Sequence, residues 1–224
     1  MILFFFKLNI MINQIYKIKM FNKTFITLSA VSLAFLNPLK AEEKGLYLFG
    51  SAGTAQINDI DYPASLGGVK EEFDYGFSPD LGVGYDFGNF RTEASYNIIN
   101  SDTKKIGGVE VTGYDTEIRS FFLSAAYDFR ADKKWQPYVG IGVGKSEVET
   151  SLSVSGTKVS ASVDDLTSVK FKVGVNYEAS DNMDIYGELY RATLEDISIT
   201  SGGTTYTLED SSANGISVGI RYKL

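Results

Sequence analysis

Residues 77–93 read Phe77-Ser-Pro-Asp-Leu-Gly-Val-Gly-Tyr-Asp-Phe-Gly-Asn-Phe-Arg-Thr-Glu93, and their alternation decides the fold. Phe77, Pro79, Leu81, Val83, Tyr85 and Phe87 share one face of an extended strand, while Ser78, Asp80, Gly82, Gly84 and Asp86 share the other. Gly88-Asn89 then leads into a second alternating run, the signal of a two-residue hairpin. Pairing Phe87 with Phe90 across that turn sets Asp86 opposite Arg91 on the polar face, with Glu93 two positions further along.

The same period recurs along the chain. Val169, Phe171, Val173, Val175 and Tyr177 oppose Lys170, Lys172, Gly174, Asn176 and Glu178; near the end, Ile216, Val218, Ile220, Tyr222 and Leu224 oppose Ser217, Gly219, Arg221 and Lys223. Period-two runs bounded by Gly, Asn, Asp and Ser predict strands at 45–57, 76–87, 90–100, 115–129, 136–148, 167–178, 183–194 and 214–224. Their connections alternate in length. Short turns at 88–89, 130–135 and 179–182 face four long segments at about 58–75, 101–114, 149–166 and 195–213. An even number of antiparallel strands with this alternation predicts an all-β, eight-stranded transmembrane up-and-down barrel of the outer-membrane kind. Short turns would then be periplasmic, the four long loops extracellular, and both mature termini periplasmic.

A secreted, lipocalin-like barrel is the soluble alternative, because alternation does not say which face points outward. Three features favour lipid outside. The polar face carries charges alternating with glycines, as a crowded hydrated lumen requires. Tyr85, Phe87, Phe90, Tyr127, Phe129, Tyr177 and Tyr222 gather at the short-turn ends like an interfacial girdle. No helical pattern follows the last strand.

The segment before the barrel reads as a secretory signal peptide at 1–41. It has Lys23 as its basic region, an apolar stretch over 25–36 and Leu39-Lys-Ala41 as the cleavage site, with residues 1–19 the product of an early start codon. The barrel occupies 42–224. From Glu42 onward the chain keeps 28 acidic but only 16 basic residues, a net charge of −12, which argues against nucleic acid as a partner. The 224 residues contain no Cys and no His, removing thiolate metal sites, Cys nucleophiles and the commonest general base.

Candidate chemistry is sparse. Gly140-Ile-Gly-Val-Gly-Lys-Ser146 resembles a phosphate loop, but Val139 stands where the motif needs glycine and a strand continues where a helix should begin. The glycines at 140, 142 and 144 instead relieve crowding inside a narrow barrel. Asp86, Arg91, Glu93, Lys170, Lys172, Glu188 and Arg221 are predicted to face the lumen as a salt-bridged plug, with Glu188 anchoring Lys170, Lys172 and Arg221. The same residues would gate the pore if the barrel conducts. Asp59, Asp61, Glu71, Glu72 and Asp74 in the first long segment, and Glu195, Asp196, Glu209 and Asp210 in the fourth, offer oxygen ligands for Ca²⁺ or Mg²⁺ bridging to lipopolysaccharide phosphates. Neither segment has the spacing of a dedicated calcium loop, and a solvated acidic surface is the preferred reading. No catalytic, cofactor or metal site is predicted.

Trp135-Gln-Pro-Tyr-Val-Gly-Ile-Gly-Val-Gly144, Ala126-Tyr-Asp-Phe129 and the terminal Gly215-Ile-Ser-Val-Gly-Ile-Arg-Tyr-Lys-Leu224 resemble the opacity-type and OmpA-like outer-membrane barrels. The resemblance implies an envelope-structural and surface-interaction role of adhesin or antigen type, with a small low-conductance channel as the alternative. It also implies outer-membrane lipid and lipopolysaccharide as surroundings, a monomer, and delivery by periplasmic chaperones to the barrel-assembly machinery. That machinery would read Ile216, Val218, Ile220, Tyr222 and Leu224. Such proteins usually end in an aromatic residue; this one ends in Leu224.

Overall fold

The computed structural model describes residues 44–224 apart from 63, 65, 66, 130, 132, 155, 156, 202, 203, 209 and 210. The signal-peptide reading at 1–41 falls outside the described residues. Fourteen strands follow in chain order: β1 (Gly45–Ile57), β2 (Ile60–Asp61), β3 (Lys70–Phe73), β4 (Tyr75–Phe77), β5 (Asp80–Asp86), β6 (Phe90–Ile106) and β7 (Val109–Glu110). The second half contributes β8 (Tyr114–Asp128), β9 (Trp135–Val154), β10 (Thr157–Ser180), β11 (Met183–Leu194), β12 (Ile197–Ser201), β13 (Thr204–Leu208) and β14 (Ser212–Lys223).

Antiparallel pairing runs β1–β5–β6–β8–β9–β10–β11–β14 and returns from β14 to β1, so eight staves close a ring. The short β4 continues the second stave beyond β5. Pro79 separates the two because it lacks the N–H a continuous ladder needs, though its carbonyl still accepts from Ile98. At the Gly88-Asn89 turn Phe87 donates to the carbonyl of Phe90, and Gly88 sits at φ 108°, a conformation glycine adopts without strain.

Side chains on the ring are sorted inside out. Leu81, Val83, Val139, Ile141, Val143, Phe171, Val173, Val175, Ile216, Val218 and Ile220 point outward and are exposed, Val218 by 63%. Arg91, Glu93, Asn97, Lys170, Asn176 and Arg221 point inward and are buried. A water-soluble barrel would carry the opposite arrangement, so this surface is made for lipid.

The narrow interior is filled by a pairing rule. Large inward side chains stand directly opposite glycines on the neighbouring stave: Tyr47 opposite Gly84, Phe49 opposite Gly82, Tyr138 opposite Gly174, Tyr186 opposite Gly219, Tyr190 opposite Gly215 and Phe122 opposite Gly144. A Cβ on any of these glycines would collide with the facing ring. Gly140 and Gly142 likewise face Lys172 and Lys170. Midway along the β1–β14 seam Ser51 faces Gly219, Gly53 faces Ser217 and Ala55 faces Gly215, all small, whereas toward the short-turn end Phe49 faces Arg221 and Tyr47 faces Lys223.

The four long segments are richer in strand than the sequence reading allowed. β2 and β3 form within 58–75 and pair onto an extended β6, β7 folds back on β6, β9 and β10 run on as a hairpin through 149–166, and β12 and β13 form their own hairpin. These stretches are rich in Ser, Thr and Gly, so beyond the short run Val159, Ala161 and Val163 their extended backbone leaves little apolar alternation to read. A bulge between Val163 and Leu166, with Asp165 at φ 61°, shifts the register of β10 on β9. Below it Leu166, Ser168 and Lys170 face inward; above it the parity flips and Val163 faces inward instead.

Candidate functional site

The lumen is built in two unlike layers. Toward the short-turn end, Glu93 is the hub. It accepts a hydrogen bond from the Tyr47 hydroxyl at 2.7 Å, forms a close ion pair with Lys172, and lies 3.9 Å from Arg221 Nε. Arg221 donates from Nη1 to Asn176 Oδ1 at 2.7 Å and stacks over the Tyr186 ring at 4.2 Å. One layer higher, Lys170 pairs with Asp80 at 2.7 Å and lies over the Tyr190 ring at 4.5 Å. Glu188 accepts from the Tyr138 hydroxyl at 2.8 Å and lies 3.9 Å from Lys172.

The predicted lumenal residues thus share one interior, but three partnerships differ from the expected ones. Asp86 is opposite Arg91 in register, yet Arg91 reaches sideways to Asp128, 3.0 Å away on β8. Asp86 instead accepts from the backbone N–H of Gly88 at 2.6 Å and closes the hairpin turn. Lys170 takes Asp80 rather than Glu188, and the close partner of Lys172 is Glu93. The physical reason is barrel tilt. Inward side chains project across the lumen, so residues adjacent in register are not those whose ends meet.

Sequence reading missed Asp80 and Asp128 as partners, and Tyr47, Tyr138, Tyr186 and Tyr190 as the phenols that complete the layer. Asp80 was legible in the polar face of the opening stretch. The tyrosines were hidden because an aromatic in an alternating strand reads as lipid-facing.

Below this layer a cavity of about 450 Å³, lined by Asp86, Arg91, Asp128, Gln136 and Arg221 among others, opens at the short-turn end. Above it the lumen turns apolar. Ala55, Ile57, Phe73, Ile99, Ile118, Leu166, Leu194 and Ala213 pack with Tyr190 into one buried cluster, joined by Ile60, Val148 and Val163. Between the two layers Ser78, Tyr190 and Asn97 share hydrogen bonds, with Ser120, Ser146 and Ser168 beside them.

Beyond the lipid-facing band the long-connection end carries charge. Glu71 is only 4% exposed and accepts from Tyr62 Oη at 2.8 Å and Thr103 Oγ1 at 2.9 Å. Burial raises its carboxyl above the ordinary range, more than those two hydrogen bonds lower it. Asp102, opposite Asp115, is likewise raised by burial and by that neighbour. The acidic first segment is less free than expected: Asp59 pairs with Lys70 at 2.8 Å and Asp74 with Lys104 at 3.3 Å. On the outer face Arg119 meets Glu117, Glu147 and Glu149.

Residues 26–223 match the family described as outer membrane protein beta-barrel domain. The chain belongs to that family. This outer-membrane barrel is 32% identical over 95 residues to opacity protein opA60 of Neisseria gonorrhoeae, covering 33% of this chain and 40% of that protein. It is 29% identical to opacity protein opA55 over 122 residues, 41% of this chain and 52% of the relative, and so spans about half the length of the curated relatives it matches. Among solved structures, Neisserial surface protein A aligns with a TM-score of 0.54 at 22% identity, over 80% of this chain and 97% of that one. OprG from Pseudomonas aeruginosa aligns with a TM-score of 0.54 at 14% identity, over 81% and 98%. Both likenesses are of fold. The outward residues of the last stave, Ile216, Val218, Ile220 and Tyr222, are exposed on β14, and Leu224 donates its N–H to the Leu46 carbonyl.

Proposed function

We propose that this outer-membrane barrel is a closed envelope scaffold that presents its long connections outside the cell as a contact surface, with both ends of the mature chain in the periplasm. One observation carries the reading. The lumen holds a charged layer and an apolar layer in series, while pairing among β6, β8, β9 and β10 continues past the lipid-facing band. A wall of strands raised above a sealed pore has its useful surface outside.

Arg91, Lys170 and Lys172 each pair with a lumenal carboxylate, which supports a structural over a catalytic role. Lipid and lipopolysaccharide are the lateral surroundings and the working unit is a monomer. β14 offers its outward residues to the assembly machinery, with chaperones carrying the chain across the periplasm. The outer-face acids around Arg119 read as a solvated rim.

Two experiments test this. An epitope inserted at Gly107-Gly108, an exposed turn, is expected to be labelled on intact cells, and one at Gly88-Asn89 only after permeabilisation. The reverse pattern refutes the orientation. In planar bilayers the refolded protein is expected to be silent, and steady, well-defined wild-type conductance refutes the sealed scaffold. The cavity at the short-turn end favours a second reading, a channel held shut by the layers above it.

A further inference from the structure

The ring is complete only up to the level of Leu194. β11 pairs with β10 from Ser168 downward, and Glu195 adds a last hydrogen bond to the Thr167 carbonyl. β10 nevertheless continues upward to Thr157, held on one side by β9. Among the described residues nothing pairs with the other side of 157–163, and β12 and β13 pair only with each other. A strand edge left open presents a row of unused N–H and C=O groups, and proteins ordinarily cover or blunt such edges.

The side chains around this edge say what fits it. Val159, Ala161 and Val163 alternate on the face that continues the apolar cluster, where Val163 already packs, and Val159 is 51% exposed. At the lower end of the edge Asp164, Asp165, Glu195 and Asp196 are all exposed and outnumber Lys145, which donates to the Asp165 carbonyl at 2.6 Å, and Lys158 lies at the upper end. An antiparallel strand added here would lay alternate apolar side chains beside Val159 and Val163. Its N-terminal end would meet the four carboxylates.

We propose that the open edge of β10 captures an extended peptide segment of another protein as an added antiparallel strand, the segment carrying alternate apolar residues and Lys or Arg at its N-terminal end. This deepens the contact-surface reading and rests on it. Main-chain pairing supplies the affinity and the acidic end fixes direction and register.

The probe is a fluorescent nine-residue peptide, Arg-Lys followed by alternating Val and Thr, titrated into the refolded full-length protein in lipid nanodiscs at low salt. Binding is expected, with slowed amide exchange at 157–163. A peptide with N-methyl groups on two adjacent central residues, so that neither of its edges can pair, should bind at least tenfold more weakly. Asp164→Asn combined with Asp196→Asn should weaken the unmethylated peptide about tenfold, an effect that fades as salt is raised. Equal binding of the two peptides overturns the proposal, as does absence of binding. Protection, without peptide, of the amides of 157–163 that point away from β9 overturns it by showing that β12 covers the edge. A concentration-dependent dimer that loses those free amides overturns it in favour of a second copy. Each of these leaves the contact-surface reading standing; that reading fails separately if the Gly107-Gly108 epitope is not labelled on intact cells.

Discussion

The two halves of the lumen solve one problem by opposite means. Toward the short turns, Glu93, Lys172, Arg221, Lys170 and Asp80 neutralise one another with tyrosine hydroxyls and rings filling the gaps. Toward the long connections, Ile57, Ile99, Ile118, Leu166 and Leu194 pack together without a charge among them. The charged layer is stable only while every member has its partner, because an ion stranded there keeps the desolvation cost of the pair. The apolar layer fails by degrees, losing burial and packing in proportion to what is removed. One layer is held by specific partnerships; the other is held by packing alone.

The strongest way to break that contrast is Glu93→Ala. It removes the partner of Lys172, Arg221 and Tyr47 together, and should cost about 3–5 kcal/mol of folding stability in lipid, read by urea unfolding. Ile99→Ala in the apolar layer should cost less, about 2–3 kcal/mol in the same assay. If it costs as much as Glu93→Ala, the apolar layer is the principal one.

Conduction separates the layers more sharply. Glu188→Ala alone should leave the bilayer current silent, because the apolar cluster above it still excludes water. Glu188→Ala combined with Ile99→Ser and Ile118→Ser should conduct. A leaky single mutant would show that the charged layer is the seal.

A smaller, local effect is expected outside the membrane at Glu71. Burial raises its carboxyl in the folded state, so the protonated form favours the β3–β6 pairing. That stability is fully present below about 4.5, the ordinary carboxyl value, and is lost as pH rises through the folded value. Amide protection at residues 70–73 should therefore fall with rising pH, and Glu71→Gln should flatten the profile. Smallest of all, Asp86→Asn should change stability by less than about 0.5 kcal/mol, since the amide oxygen still accepts from Gly88. A large loss would restore Asp86 as the partner of Arg91.

The eight staves were legible because period-two alternation survives wherever one side chain in two meets lipid, as at Val169–Tyr177 and Ile216–Tyr222. It vanished where both faces meet water or other strands, which is why β2, β3, β7 and the upper halves of β9 and β10 read as loops. The inward position of the lumenal charges followed from the same parity. Their partnerships did not, because register is a property of neighbouring strands and contact in a tilted barrel joins distant ones: Lys170 to Asp80, Lys172 to Glu93. The apolar cluster was illegible for a related reason. Ile99, Ile118, Leu166 and Leu194 lie on strands whose other face is also partly apolar, and no rule of alternation says which of two apolar faces turns inward.

The smooth middle of the seam between β1 and β14 bears on how such a barrel is made. On β1–β5, β8–β9, β9–β10 and β11–β14 a ring must drop into the glycine notch opposite it, so those strand pairs lock once formed. Along Ser51, Gly53 and Ala55 nothing protrudes, so the middle of the junction between the first and last strands closes with backbone bonds alone, while below it Phe49 and Tyr47 meet Arg221 and Lys223. At the middle of the closing junction no ring is locked in a notch, so lateral stress there is resisted by the backbone ladder alone.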